Sequence, residues 1–178
     1  MQSPACPDRV DEYFVGGGRV CGMKKPTKFD WSQLAAYIDG EGTIVIVKAR
    51  LHYTQLVVRV CNTDPRLPMW CWRTFGGKVY ASRTTAMRRF FTWTTQARKA
   101  EDVLRGCLPY FHLKREQANV ALEYRETFRH RKGRVAEQDL TVDRMAIRQG
   151  FREELQRLKE EIPEDAFIGA PEASDLIQ

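Results

Sequence analysis

The stretch Leu34-Ala35-Ala36-Tyr37-Ile38-Asp39-Gly40-Glu41-Gly42 decides how the rest of the chain is arranged. It reads as the end of a helix that runs directly into a strand. Asp30 can cap that helix, and Gln33, three residues on, completes a capping box. Leu34 to Ile38 form a body that is apolar nearly all round and rich in small side chains. Such a helix is buried, and its small residues admit a second backbone at close range. After Gly42 the run Thr43-Ile44-Val45-Ile46-Val47 is β-branched, as strands prefer. Asp39 and Glu41 therefore fall at the C-terminal end of a buried helix, where the helix dipole repels a carboxylate. A cation beside them would relieve that repulsion, and hard oxygen ligands favour Mg²⁺ or Ca²⁺.

With 178 residues, one domain with a full core and an appended element is expected. No apolar run reaches membrane-spanning length, and no signal-peptide core stands at the start, so a soluble cytoplasmic protein, or one of an organellar matrix, is expected. Cys6, Cys21, Cys61, Cys71 and Cys107 contain no Cys-x-x-Cys pair, which argues against a zinc site or a disulfide framework. His52, His112 and His130 share no paired spacing either. The net charge of +6 is unevenly spread. Residues 43–100 carry eleven bases against the single acid Asp64, whereas 135–178 carry five bases against eleven acids. A basic middle with an acidic tail points to a polyanionic partner, most naturally a nucleic acid.

Residues 1–29, with Gly16-Gly17-Gly18 and a small cluster of Lys24, Lys25 and Lys28, read as a loosely docked extension. A helix over about 30–39 leads into strands over about 43–50 and 53–62. In the second strand Tyr53, Gln55, Val57, Arg59 and Cys61 share the wetter face, where Gln55 and Arg59 carry suitable donors for base edges. The face taken by Lys48 in the first strand stays open. Asn62-Thr63-Asp64-Pro65 stops the second strand and starts a helix, with Thr63 or Asp64 as cap and Leu67, Trp70, Cys71 and Phe75 inward. Gly76-Gly77 ends that helix. Strands follow over about 78–84 and 88–95, then helices over about 96–107 and 113–130. A last helix over about 141–162 carries an apolar stripe through Ile147, Phe151, Leu155, Leu158 and Ile162. The expected fold is α+β in the order αββαββα: a four-stranded antiparallel, saddle-shaped sheet with helices on one face, plus a C-terminal helix. The other face is left for Lys48, Arg50, Tyr53, Gln55, Arg59, Lys78, Tyr80, Ser82, Arg83, Arg88 and Arg89 to line as a DNA-binding surface.

The nine residues 34–42 resemble the signature of the LAGLIDADG homing endonucleases, with Leu34, Ala35, Ile38, Asp39 and Gly42 identical and Glu41 in place of the second aspartate. The likeness runs over roughly 30–130, giving an extension (1–29), an endonuclease core (30–132) and a C-terminal helical extension with an acidic tail (133–178). It implies a Mg²⁺-dependent, site-specific endonuclease, with Mn²⁺ or Ca²⁺ able to substitute in binding. Such an enzyme hydrolyses both strands of a long pseudo-palindromic DNA target across the minor groove and leaves 3′ overhangs. Glu41, with the Gly40 carbonyl, would hold metal. Asn62 and Lys114 match positions near the family's active site, although Asn62 also suits a cap for the following helix. A homodimer would pack Leu34, Ala35, Ala36, Ile38 and Asp39 at its axis, with Ala35 and Ala36 nearest, and bring two Glu41 carboxylates together. Asp39 is expected to bond backbone at the helix end. The alternatives are an intron maturase of the same fold, whose partner is its own intron RNA, and a DNA-binding regulator that does not cut.

Overall fold

The computed structural model of the chain describes residues 13–17, 25–50, 53–83, 89–128 and 142–160. Helix α1 (Lys28–Glu41) leads into the antiparallel strands β2 (Gly42–Arg50) and β3 (Tyr53–Asn62). Then come α2 (Arg66–Phe75), β4 (Lys78–Arg83), β5 (Arg89–Gln96) and α3 (Ala97–Cys107). A 3₁₀ turn (Leu108–Tyr110), α4 (Arg115–Glu126) and α5 (Val142–Glu160) complete the order. The four expected strands pair as expected. A fifth strand, β1 (Tyr13–Gly17), joins the edge of β4, so the sheet order is β1-β4-β5-β3-β2. Gly16 and Gly17 thus lie in a strand rather than a linker; their triplet partner Gly18 and the cluster residue Lys24 fall outside the described residues.

Strand periodicity sorts the two faces. Ile44, Ile46, Leu56, Val58, Val60, Val79 and Trp93 point into one apolar cluster, joined there by side chains from all five helices. Leu34, Ala35 and Ile38 of α1 are fully buried in it, as is Tyr124 of α4. Helix α5 packs on α4 and β2 and puts Leu155 into the same cluster, 1% exposed. Gly76 and Gly77, both at positive φ, close the α2–β4 turn, and Gly76 accepts a 2.7 Å hydrogen bond from the Trp93 indole. Among the described residues no helix is long and apolar enough to cross a membrane. Cys71 and Cys107 are buried free thiols, and burial pushes Cys71 up to about 12.

The start of α1 differs from expectation. Thr27, not Asp30, is the cap. The Asp30 amide donates to the Thr27 hydroxyl at 3.2 Å, and the Thr27 amide donates to the Asp30 carboxylate at 2.8 Å. The capping box is real but lies three residues earlier, because a threonine followed by an acid satisfies the two orphan amides reciprocally.

Candidate active site

The site is built where α1 ends. Gly42 is the hinge between helix and strand. A Cβ there would lie 2.5 Å from the Ile38 Cα, so only glycine lets the chain turn into β2. Glu41, the last residue of α1, is left exposed on this turn.

Asp39 and Lys114 clasp the helix end from opposite sides. The Asp39 carboxylate accepts from the amides of His112 (2.8 Å) and Lys114 (2.9 Å), and so caps the entry to α4 rather than its own helix. The Lys114 ammonium returns the contact. It donates to the carbonyl oxygens of Ile38 (2.7 Å), Asp39 (2.7 Å) and Gly42 (3.0 Å). These carbonyls gather at the negative end of the α1 dipole, a natural seat for a cation; the Ile38 oxygen also accepts from the Gly42 amide. Burial pulls Lys114 below its ordinary value, against the opposing charge of Asp39. All three ammonium protons are spent, so Lys114 is a positive cap beneath Glu41, not a donor aimed at solvent.

Asn62, expected near the site or as a cap for the following helix, meets Glu41 but caps no helix: α2 begins at Arg66 without a side-chain cap, and Asn62 only closes the turn before it. Its Nδ2 donates to Glu41 Oε2 at 2.5 Å, and its Oδ1 accepts from the Asp64 amide at 2.8 Å. Reversing the amide would set oxygen against carboxylate, so the two bonds together select one orientation. The chain of contacts continues: Asp64 accepts from the amide and the guanidinium of Arg66, which holds its carboxyl down to about 2. Asp64 and Arg66 were missed as site residues; the Asn-Thr-Asp-Pro-Arg run is turn-forming and could have suggested them. With Gln33, Tyr37, Asn62, Leu67 and Trp70 they line an open cleft of about 490 Å³ beside Glu41.

Four of the five residues expected at a helix–helix interface are buried within this chain. Leu34, Ala35 and Ile38 fill its core, and Asp39 is bound to the α4 entry. A helix turns by about 100° per residue, so those positions cannot also face outward. The exposed face of α1 instead carries Phe29 (75% exposed), Ser32, Ala36 and Gly40 at three- and four-residue steps. No atom comes within 4 Å of a Cβ built on Gly40.

The basic residues divide between the sheet faces. Gln55, Arg59, Lys78, Tyr80 and Ser82 share the face opposite the helices; Gln55 donates to Gln96 at 3.4 Å. Lys48, Arg83 and Arg89 have the other parity. Lys48 pairs with Thr54, whose hydroxyl meets Tyr124 of α4, and Arg83 pairs with Arg89 in line with Val79 and Trp93. Alternation along a strand sends every second residue to the opposite side. The expectation of one continuous basic surface therefore does not hold for these three. Arg88 and the side chains of Arg50 and Tyr53 lie outside the described residues.

No family sequence model and no curated protein sequence matches the chain. Among solved structures it is similar to the homing endonuclease I-CvuI in complex with its target in calcium, with a TM-score of 0.60 and 16% identity over 76% of this chain and 85% of that one. It is similar to the archaeal intron-encoded homing endonuclease I-Vdi141I complexed with DNA (TM-score 0.60, 12% identity, 76% and 87%). A third is the LAGLIDADG homing endonuclease I-LtrWI bound to target DNA (0.50, 14%, 83% of this chain but 47% of that one). The chain has the LAGLIDADG homing-endonuclease fold. In that fold the helix bearing the signature is α1, and Glu41 stands at its exposed end.

Proposed function

We propose that the chain is a divalent-metal-dependent, site-specific DNA endonuclease that works as a two-fold homodimer and hydrolyses both strands of a long pseudo-palindromic duplex. One observation carries this reading: Glu41 is an exposed carboxylate oriented by Asn62, at the end of a helix face that nothing among the described residues covers. The part of the chain that superposes on I-LtrWI, 83% of it, covers 47% of that protein, and a second copy would supply the other half. Packing Phe29, Ser32, Ala36 and Gly40 against their copies brings the two Glu41 residues toward one axis.

Among the described residues no three His, Cys, Asp or Glu side chains converge within one chain. Glu41 with the Gly40 carbonyl, and the same pair from a second copy, form a hard oxygen set that suits Mg²⁺. When bound there, the ion supplies Lewis-acid polarisation of a phosphate and an ionised water. The chain's own residues do the rest. Asn62 holds the Glu41 rotamer, Lys114 offsets negative charge from behind the helix end, and Arg66 offers an exposed guanidinium beside the cleft. The open sheet face, with Gln55, Arg59, Lys78 and Tyr80, is the surface for the duplex; Ser82 has the same parity but is buried, at 4% exposure, and Lys48, Arg83 and Arg89 would reach phosphates only around its ends.

The test is digestion of a pool of randomised duplexes in Mg²⁺, with sequencing of the ends released. Wild type should enrich one pseudo-palindromic sequence. Glu41→Gln should release no ends while retaining DNA binding. Cleavage at the wild-type rate by that variant would end the proposal.

A further inference from the structure

Two features flank the exposed face of α1, one on each side. Measured from Ala36, at the middle of that face, Asp39 stands about 60° to one side, while Gln33 and Tyr37 stand about 60° and 100° to the other. On the Asp39 side a knob projects. The amides of His112 and Lys114 both donate to the Asp39 carboxylate, at 2.8 and 2.9 Å, so the residue between them is pinned at both ends. That residue is Leu113, 77% exposed. On the opposite side lies the open cleft of about 490 Å³. Its apolar lining is Tyr37, Leu67 and Trp70, each half-buried, with the Tyr37 and Trp70 rings edge to face at 5.9 Å. Knob and cleft stand at similar heights along α1. Leu113 is held beside Asp39, and the cleft runs from Gln33 up to Asn62, which is bonded to Glu41.

A two-fold axis running along α1 sets these features against each other. Such an axis keeps height and exchanges left for right across the seam, so the knob flank of one copy faces the cleft flank of its partner, and the contact is made twice. The seam also needs it. The outward residues of α1, from Phe29 to Gly40, span about 16 Å, and a strip that long and one helix wide offers about 200 Å² per copy. A stable interface buries about 800 Å² per partner. The flanks must supply the difference, and apolar surface that is already held rigid is the surface whose covering costs least in order and gains most.

We propose that Leu113 of each copy seats in the Tyr37, Leu67 and Trp70 cleft of the other. This deepens the homodimer reading above and rests on it, but not on metal or on cleavage. The segment that holds Asp39 then also holds the second copy, and the cleft beside Glu41 and Asn62 is closed only when two chains have met.

The experiment is sedimentation equilibrium of the full chain in EDTA without DNA. Leu113→Asp replaces an exposed side chain and should leave the far-UV circular dichroism unchanged; Leu67→Lys places a base in the cleft. Each variant alone should dimerise at least about tenfold more weakly for each of the two seams. An equimolar mixture should recover the wild-type dimer, because in the mixed pair one seam sets aspartate against lysine and the other is native. A Leu113→Asp protein that dimerises as tightly as wild type overturns the proposal, and if it also loses affinity for a duplex, Leu113 belongs to the DNA surface instead. A mixture no better than its components overturns it as well. A wild type that is itself monomeric would remove the homodimer reading and the seat with it.

Discussion

Replacing Lys114 by methionine separates two roles that a lysine beside the candidate active site can have. The structure commits its ammonium to three carbonyls at the end of α1. Hydrogen bonds to a charged group are worth about 1.5–3 kcal/mol each when made, and are not additive. The Ile38 carbonyl keeps a second donor, the Gly42 amide, so at most two carbonyls lose their only side-chain partner. Against this, the methionine no longer has to bury a charge, whose cost is visible in the lowered value of Lys114. The balance is a loss of about 2–4 kcal/mol, most of it from unsatisfied carbonyls and the helix dipole. For a chain of this size that is a fall of roughly 6–12 °C in melting temperature. The assay is thermal or urea unfolding followed by circular dichroism, in parallel with cleavage. A variant that unfolds within about 0.5 kcal/mol of wild type yet fails to cleave would refute the clasp, since surface changes away from such features have effects of that small size. Lys114 would then act on the phosphate directly.

Three further outcomes follow from the same geometry. Ala36→Glu should convert a dimer to a monomer in sedimentation velocity with no change in far-UV circular dichroism, because Ala36 is exposed on its own chain and touches only the proposed partner. Gly42→Ala should lower stability by about 1–3 kcal/mol in urea unfolding, because its methyl group would meet the Ile38 backbone, which cannot yield as a side chain can. Asp64 is held at about 2 against an ordinary 3.8, so its pairing with Arg66 contributes stability above 3.8 that is lost as the pH falls through about 2. Melting curves of wild type and Asp64→Asn should therefore differ near neutral pH and converge in strong acid; a constant gap would mean that the pair does not titrate as described.

The order of elements was readable along the chain because it is written in local chemistry. The β-branched run after Gly42, the alternation of 53–62 and the Gly76-Gly77 stop each carry their own period or backbone demand. Glu41 was legible for the same reason, as an acid in an electrostatically poor position. What the chain could not reveal one residue at a time was direction. An apolar helix body does not say which side meets its own sheet and which meets a partner, so Leu34, Ala35, Ile38 and Asp39 turn inward while Ala36 and Gly40 stay free. The face of Lys48 depended on which of Ile46 or Val47 met the helices, a choice made by packing. Lys114 and Asp39 are 75 residues apart, and their reciprocal hold on each other's backbone exists only once α4 has been laid against the end of α1. Local sequence determined which elements form and where the acid stands; the tertiary structure decided which side chains are spent on holding it there and which remain available for another molecule, because burial and partner geometry are properties of contacts between segments and not of any segment alone.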